Sequence, residues 1–177
     1  MTKIFLFLFL ISINHTYAQK VNKNTGSKIS LNDAQEILDH HNQVRKKVGT
    51  SPLLWSINLS AYAQAWANHL AKSKNCTIKH RTISGEDGNR YGENTFWGSS
   101  SQIYKAIDAS FLWYKEKKMY RYQKLGNNNW YRTGHYTQMI WRDTKLMGVG
   151  VARCRGGGLI VVANYFPAGN MLGQYPY

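Results

Sequence analysis

Apolar side chains recur at helical spacing in the first third of the chain. Ala34, Ile37, Leu38, His41, Val44 and Val48 share one face of a 3.6-residue repeat. Ser30-Leu31-Asn32-Asp33 ahead of them has the form of a capped helix start, and Gly49 closes the run. Pro52 marks a turn, and a second helix fits Leu59, Tyr62, Ala63, Trp66 and Leu70. The alanines at 61, 63, 65, 67 and 71 leave it slim enough to pack closely on a neighbour. Residues 73–100 lose this periodicity. Gly85, Gly88, Gly92 and Gly98 make them a loop with room for a short strand around Glu93, and a loop of this length in one domain is often functional. The spacing predicts a third helix from Ser101 to Met119. Its stripes are Ile103, Ile107, Phe111, Tyr114 and Trp113, Glu116, Tyr120, so that it is covered on two sides. The stretch LGNNNWYRTG (125–134) reads as a polar loop. From Leu146 the period changes, and MGVGVARC, RGGG and LIVVANYF read as two β-segments around a glycine turn. Three helices and a hairpin make a mixed α/β (α+β) domain without internal repeats.

The N-terminus changes the compartment. In MTKIFLFLFLISINHTYAQ, Lys3 precedes an apolar run from Ile4 to Ile13, and Thr16-Tyr17-Ala18 offers a small-residue cleavage site. Residues 1–18 are therefore expected to be a signal peptide, residues 19–30 a flexible polar leader, and residues 31–177 a single secreted domain, monomeric by default. Cys76 and Cys154 are the two cysteines. An even count in an exported chain suggests one disulfide, with two buried thiols as the alternative. The formal charge is +14, and the signal region carries only Lys3, which leaves +13 on the mature chain. Such a charge favours anionic membranes or cell-wall polymers. Its carriers, including Arg45-Lys46-Lys47, Lys115, Lys117-Lys118, Arg121 and Lys124, are scattered, which reads as a solvated surface and not as a nucleic-acid site.

Acids are scarce, so each one is informative. Glu93 sits in Tyr91-Gly92-Glu93-Asn94 and Glu116 among helical aromatics. His80 lies in the long loop, and His135 opens the apolar stretch TGHYTQMIWRDT. Two imidazoles and two carboxylates can form a metal site, acid–base pairs, or a structural hydrogen-bond network. No H-E-x-x-H spacing is present, and spacing alone leaves these readings open.

Several ordered motifs bear on the choice: HNQVR (41–45), PLLWSINLSAYAQAWANHLA (52–71), YGEN (91–94), WYKEKKMYRY (113–122), GHYTQMIW (134–141) and NYFPAGNMLGQYPY (164–177). In these the chain resembles the CAP superfamily of cysteine-rich secretory, antigen 5 and pathogenesis-related class 1 proteins, from about Ala34 to Tyr177. The resemblance implies a three-layer α-β-α sandwich with a cavity lined by His80, Glu93, Glu116 and His135. It implies that His80 and His135 can hold a divalent metal such as Zn2+, with waters completing the shell. It also implies a non-catalytic binding protein for lipid or sterol ligands, in defence or host interaction. A metal-dependent hydrolase and a cationic membrane-active antimicrobial are the alternatives. Gly134 is expected to turn the chain so that His135 faces the cavity at the start of a short helix. Gln138 is expected to orient His135 or to line the same cavity, with a backbone hydrogen bond as the alternative. Thr133, Val149 and Ala163 stand where relatives carry cysteines, so two family disulfides are missing and Cys76–Cys154 corresponds to the one that remains. PAGNMLGQYPY resembles a C-terminal peptide that plant members can release, and a packed structural tail is the favoured reading here.

Overall fold

Ser30 and Ser56 set the starts of the two long helices. Each side-chain oxygen accepts a backbone N–H three residues on, from Asp33 and Leu59. These helices are α1, Leu31–Lys46, and α2, Ile57–Lys72. Between them lies the two-residue strand β1, Leu54–Trp55. Strand β2 is Gly92–Gly98 and helix α3 is Ala106–Lys115, which tightens into a 3-10 turn over Glu116–Met119. Helix α4, Trp130–Met139, and strands β3, Leu146–Arg153, and β4, Leu159–Phe166, complete the order. The computed structural model describes residues 19–73, 76–81, 91–126 and 130–177. The expected signal peptide lies outside these residues, as does the stretch 82–90.

The four strands form one sheet in the order β1-β3-β4-β2, with β1 parallel to β3 and the other pairs antiparallel. Alternation along β4 sends Ile160 and Val162 to one face, against Ala63, Ala67 and Leu70 of α2. It sends Val161, Ala163 and Tyr165 to the other face, into the core formed with α1, α3 and α4. The result is the expected α-β-α sandwich. On the α2 side, helix and sheet meet backbone to backbone. A Cβ on Gly148 would lie 2.3 Å from the Ser60 nitrogen, and one on Gly150 2.3 Å from the Gln64 nitrogen.

Strand β1 pairs only with Leu146 and Met147, so most of the outer edge of β3 has no strand beside it. Side chains take its place. Ser27 Oγ donates to the Val149 carbonyl at 2.7 Å. The Gln64 amide donates to the Val151 carbonyl at 2.7 Å and accepts its N–H at 3.1 Å. An edge satisfied in this way is closed to further strands. The same contacts correct the expectation of a flexible leader. Residues 19–30 pack on the body, with Val21, Thr25 and Ile29 buried and the Lys28 N–H bonded to Gln64.

Other expectations shift as well. Strand β2 is seven residues long, where only a short strand around Glu93 was expected. Its residues carry little β-branched signal, and it is fixed by pairing with β4 along its whole length. Helix α3 begins at Ala106, so Ile103 lies outside it and is 93% exposed, and Phe111 is exposed as well. Helix α4 begins at Trp130, inside the expected loop, so Gly134 is a helical residue and not a turn. The Gly134 carbonyl is bonded by Asn170 and Thr137, which holds that helix against the C-terminal segment. Arg45, expected on the solvated surface, is fully buried.

Cys76 and Cys154 form a disulfide that spans 78 residues. On the chain-entropy account, a loop of this order stabilises the fold by about 4 kcal/mol. The C-terminal tail is a packed segment, as favoured. The Leu125 N–H donates to Gln174, the Gly173 N–H to Leu125, and the Arg142 N–H to Pro176.

Gly150→Ala should cost about 1–3 kcal/mol, because the added methyl can be seated only by moving α2 off the sheet. Urea unfolding of the variant beside wild type checks this; an unchanged midpoint would mean that α2 is not held against β3 as described.

Candidate functional site

Each sequence-predicted carboxylate meets one histidine. His80 Nδ1 lies 2.8 Å from Glu93 Oε1, and His135 Nδ1 lies 2.6 Å from Glu116 Oε1. A carboxylate only accepts, so Nδ1 of each ring carries the proton. In the neutral tautomer Nε2 then presents a lone pair. Among the described residues no hydrogen bond engages either Nε2.

The elements that deliver these groups differ. Glu116 opens the 3-10 turn after α3, and its Oε2 also accepts the backbone N–H groups of His135 and Tyr136, at 2.9 and 3.1 Å. The His135 ring lies nearly parallel to the Trp113 indole, 6.2 Å between centroids. Trp113 in turn donates to the Thr95 carbonyl of β2. Glu93 belongs to β2 and accepts the Arg81 N–H at 3.1 Å beside His80. The segment that carries His80 is tied to α2. Trp66 donates to the Lys79 carbonyl, and the Arg81 guanidinium lies 3.9 Å from the Tyr62 ring centre. The two pairs differ in exposure, with side chains 58% exposed for His80 and 33% for His135. The hydrogen bond to Glu93 raises the His80 pKa above its ordinary value, against partial burial. Glu93 Oε2 is buried and has no hydrogen-bond partner among the described residues.

Asn94, in the same Y-G-E-N motif, connects this region to the core. Its amide donates to the His135 carbonyl at 3.1 Å and to the Tyr165 hydroxyl at 3.2 Å. The Tyr165 hydroxyl lies 2.9 Å from His41 Nε2, and His41 Nδ1 lies 2.8 Å from the Ile37 carbonyl. The carbonyl of Ile37 accepts, so His41 donates through Nδ1 and takes the tyrosine proton bond at Nε2. His41 is fully buried, and burial pulls its pKa down to about 3. Sequence reasoning placed His41 on a core face without a partner and gave Asn94 no role. The signal for Asn94 was its place beside Glu93.

Gln138 makes the backbone bond and does not orient His135. Its Oε1 accepts the Gly169 N–H at 3.0 Å, and its Nε2 donates to Thr144 Oγ1 at 3.3 Å. It also explains Gly92 of the same motif, since a Cβ there would stand 2.1 Å from Gln138 Oε1. Among the described residues no group of three or more His, Cys, Asp or Glu side chains is placed to hold a metal by itself. The four side chains are two histidine–carboxylate pairs.

Comparison with known proteins places the chain in a family. The model of the cysteine-rich secretory protein (CAP) family matches residues 38–165. Pathogenesis-related protein 1C of Nicotiana tabacum is 36% identical over 172 residues, covering 97% of this chain and 90% of its own. Golgi-associated plant pathogenesis-related protein 1 of Homo sapiens is 38% identical over 149 residues, covering 84% and 92%. Among solved structures, NaASP2 with Zn2+ superposes with a TM-score of 0.66 at 27% identity, covering 89% of this chain and 87% of its own. The chain belongs to the cysteine-rich secretory protein (CAP) family.

The buried His41 predicts a pH dependence. Its folded pKa, about 3, lies below the unfolded value of 6.5. As pH falls from 6.5 toward 3, the unfolded chain takes up a proton that the folded chain refuses, so stability is lost. His80 has the opposite sign: the extra stability from its charged form beside Glu93 is fully present below 6.5 and is lost as pH rises through its raised pKa, while the neutral ring keeps its Nδ1 hydrogen bond. Unfolding midpoints measured from pH 7 to pH 4 should therefore fall less steeply in His41→Gln than in wild type. Equal slopes would contradict a neutral His41.

Proposed function

We propose that the chain is an exported, non-catalytic binding protein in which His80 and His135 hold a divalent cation, zinc foremost. The observation that carries this is the carboxylate on each Nδ1. Such a partner fixes the tautomer, aims the ring and makes Nε2 a better ligand. The orphaned Glu93 Oε2 fits the same reading, since a water on a bound ion would give it a donor. Two imidazoles make an open and weak site, in which waters supply the other positions. A bound zinc would supply Lewis acidity toward such a water or an anionic ligand group. The chain's own residues hold and orient: Glu116 and Glu93 keep the Nδ1 protons, Trp113 backs one ring, and Arg81 anchors the other segment. The aliphatic hydroxyl of Thr137, two residues after His135, donates its one proton to Asn170 Oδ1 at 2.7 Å with the Gly134 carbonyl at 3.3 Å, so it is engaged and not a free nucleophile. A solved CAP structure described with Zn2+ lends support.

The same reading gives the grooves of the sandwich lipid or sterol ligands, and gives the protein a place in defence or host interaction. The names of its pathogenesis-related relatives support the latter.

Calorimetric titration with zinc should show binding in wild type and none in His80→Ala/His135→Ala. Binding that survives in the double variant would move the metal elsewhere, and no binding in wild type would leave the pairs as structural hydrogen bonds. Incubation with cholesterol or palmitate followed by extraction should recover ligand with the protein. Recovery of neither would remove the lipid half of the proposal.

A further inference from the structure

A large cleft lies at the other end of α3 from Glu116. It has a volume of about 1270 Å³ and opens where the start of α1, the end of α2, the start of α3 and the β3–β4 turn meet. Ten residues of helix, or about 15 Å, separate this region from Glu116 and its histidine, whereas Cys76 of the lining stands only four residues before His80.

Five cationic side chains line it: Lys28, Lys72, Lys105, Arg153 and Arg155. They come from separate elements, so they surround the cleft and do not follow one helix face. All five are exposed. None has a carboxylate within ion-pairing distance among the described residues. The only acid in the lining is Asp33, which accepts the Ser30 hydroxyl at 2.8 Å at the start of α1. Like charges gathered around a concavity without counter-charges focus the field into it. Cys154 stands between the two arginines, and its disulfide to Cys76 forms part of the wall and anchors the backbone that carries them.

The size and the spread of charge select the ligand. A site for one drug-sized molecule occupies about 300–1,000 Å³, so this cleft is large for a single small anion. One carboxylate or sulfate is satisfied by one or two cations, and five around a rim suit a ligand with several anionic groups along its length. The remaining lining mixes amide and hydroxyl groups from Asn68 and Ser73 with the apolar surfaces of Ile103 and Tyr104. That mixture matches sugar rings, which present hydroxyls at their edges and C–H groups on their faces. A planar bilayer cannot enter a concavity.

We propose that this cleft binds an acidic glycan, a linear polysaccharide with carboxylate or sulfate groups on successive sugars. The site is independent of the histidine pairs. It is tested by calorimetry with two probes, a sulfated heparin-derived hexasaccharide and an oligogalacturonate hexamer, which distinguish sulfate from carboxylate recognition. In Lys72→Ser/Arg153→Ser/Arg155→Ser, affinity for at least one probe should fall by about tenfold or more, with a shallower salt dependence. A control with the same change in charge, Lys117→Ser/Lys118→Ser/Arg121→Ser, should stay close to wild type. Because the replaced side chains are exposed, the cleft variant should keep its melting temperature and its zinc titration, so a glycan defect is separable from failure of the metal site. Equal losses in the two triple variants would reduce the effect to net charge and overturn the proposal. So would a wild type that binds neither probe, or cleft residues needed only for phosphatidylserine vesicles.

Discussion

The guanidinium of Arg45, wholly buried at the end of α1, donates to four backbone carbonyls. Ser51 accepts at 2.6 Å, Met139 at 3.0 Å, Trp141 at 2.9 Å and Thr144 at 3.0 Å. Among the described residues no carboxylate pairs with it. Burial lowers its pKa to about 10, still far above neutrality, so it enters the fold charged. The charge is tolerated because four of the five N–H donors of the planar group meet carbonyls, a geometry that a lysine ammonium cannot reproduce. Two of these carbonyls close the end of α4 and a third belongs to the loop before β3. One side chain therefore sets where α4 stops, how the chain turns into the sheet, and how both sit against α1.

The site inherits its geometry from that anchorage. Helix α4 is held at its C-terminal end by Arg45 and along its body by Glu116, whose carboxylate takes two N–H groups and the His135 ring. Asn94 joins the His135 carbonyl to Tyr165, and Tyr165 reaches His41 on α1. Polar groups thus run through the core from one helix to another across β4 and β2. A chain of buried hydrogen bonds of this kind rigidifies when its members are paired, and it fixes the backbone on which the candidate ligand sits. On the opposite face, the glycines of β3 let α2 lie directly on the sheet, and α2 in turn supplies the aromatic surfaces that hold the His80 segment.

Charge divides the molecule into two regions of different character. The chain has 23 Lys and Arg against 9 Asp and Glu. Two of those few acids, Glu93 and Glu116, are committed to histidines, and Asp33 and Asp108 hold the first turns of α1 and α3. Among the described residues no carboxylate pairs with the lysines and arginines around the disulfide, so that end of the sandwich carries an excess of positive charge. The acids are placed where they order the backbone, and the excess of bases is left facing solvent.

Much of this was legible from the residues alone. The faces of α1 and α2, the Ser30 cap and the β3–β4 hairpin follow from short-range periodicity and local chemistry, and the disulfide from an even cysteine count in a chain read as exported. Family resemblance singled out His80, Glu93, Glu116 and His135, and the structure supplied their pairing, one carboxylate to each histidine. What sequence did not show depends on partners far along the chain. Strand β2 is a strand because β4 lies beside it, and residues 19–30 are ordered because β3 has an open edge that Ser27 and Gln64 close. Arg45 resembles its lysine neighbours in sequence, yet it is buried because carbonyls 94 to 99 residues away converge on it. Periodicity determines which face of an element seeks the core. Only the tertiary structure decides which polar groups can follow it there, because a buried charge or amide is tolerated only where distant backbone supplies its hydrogen bonds.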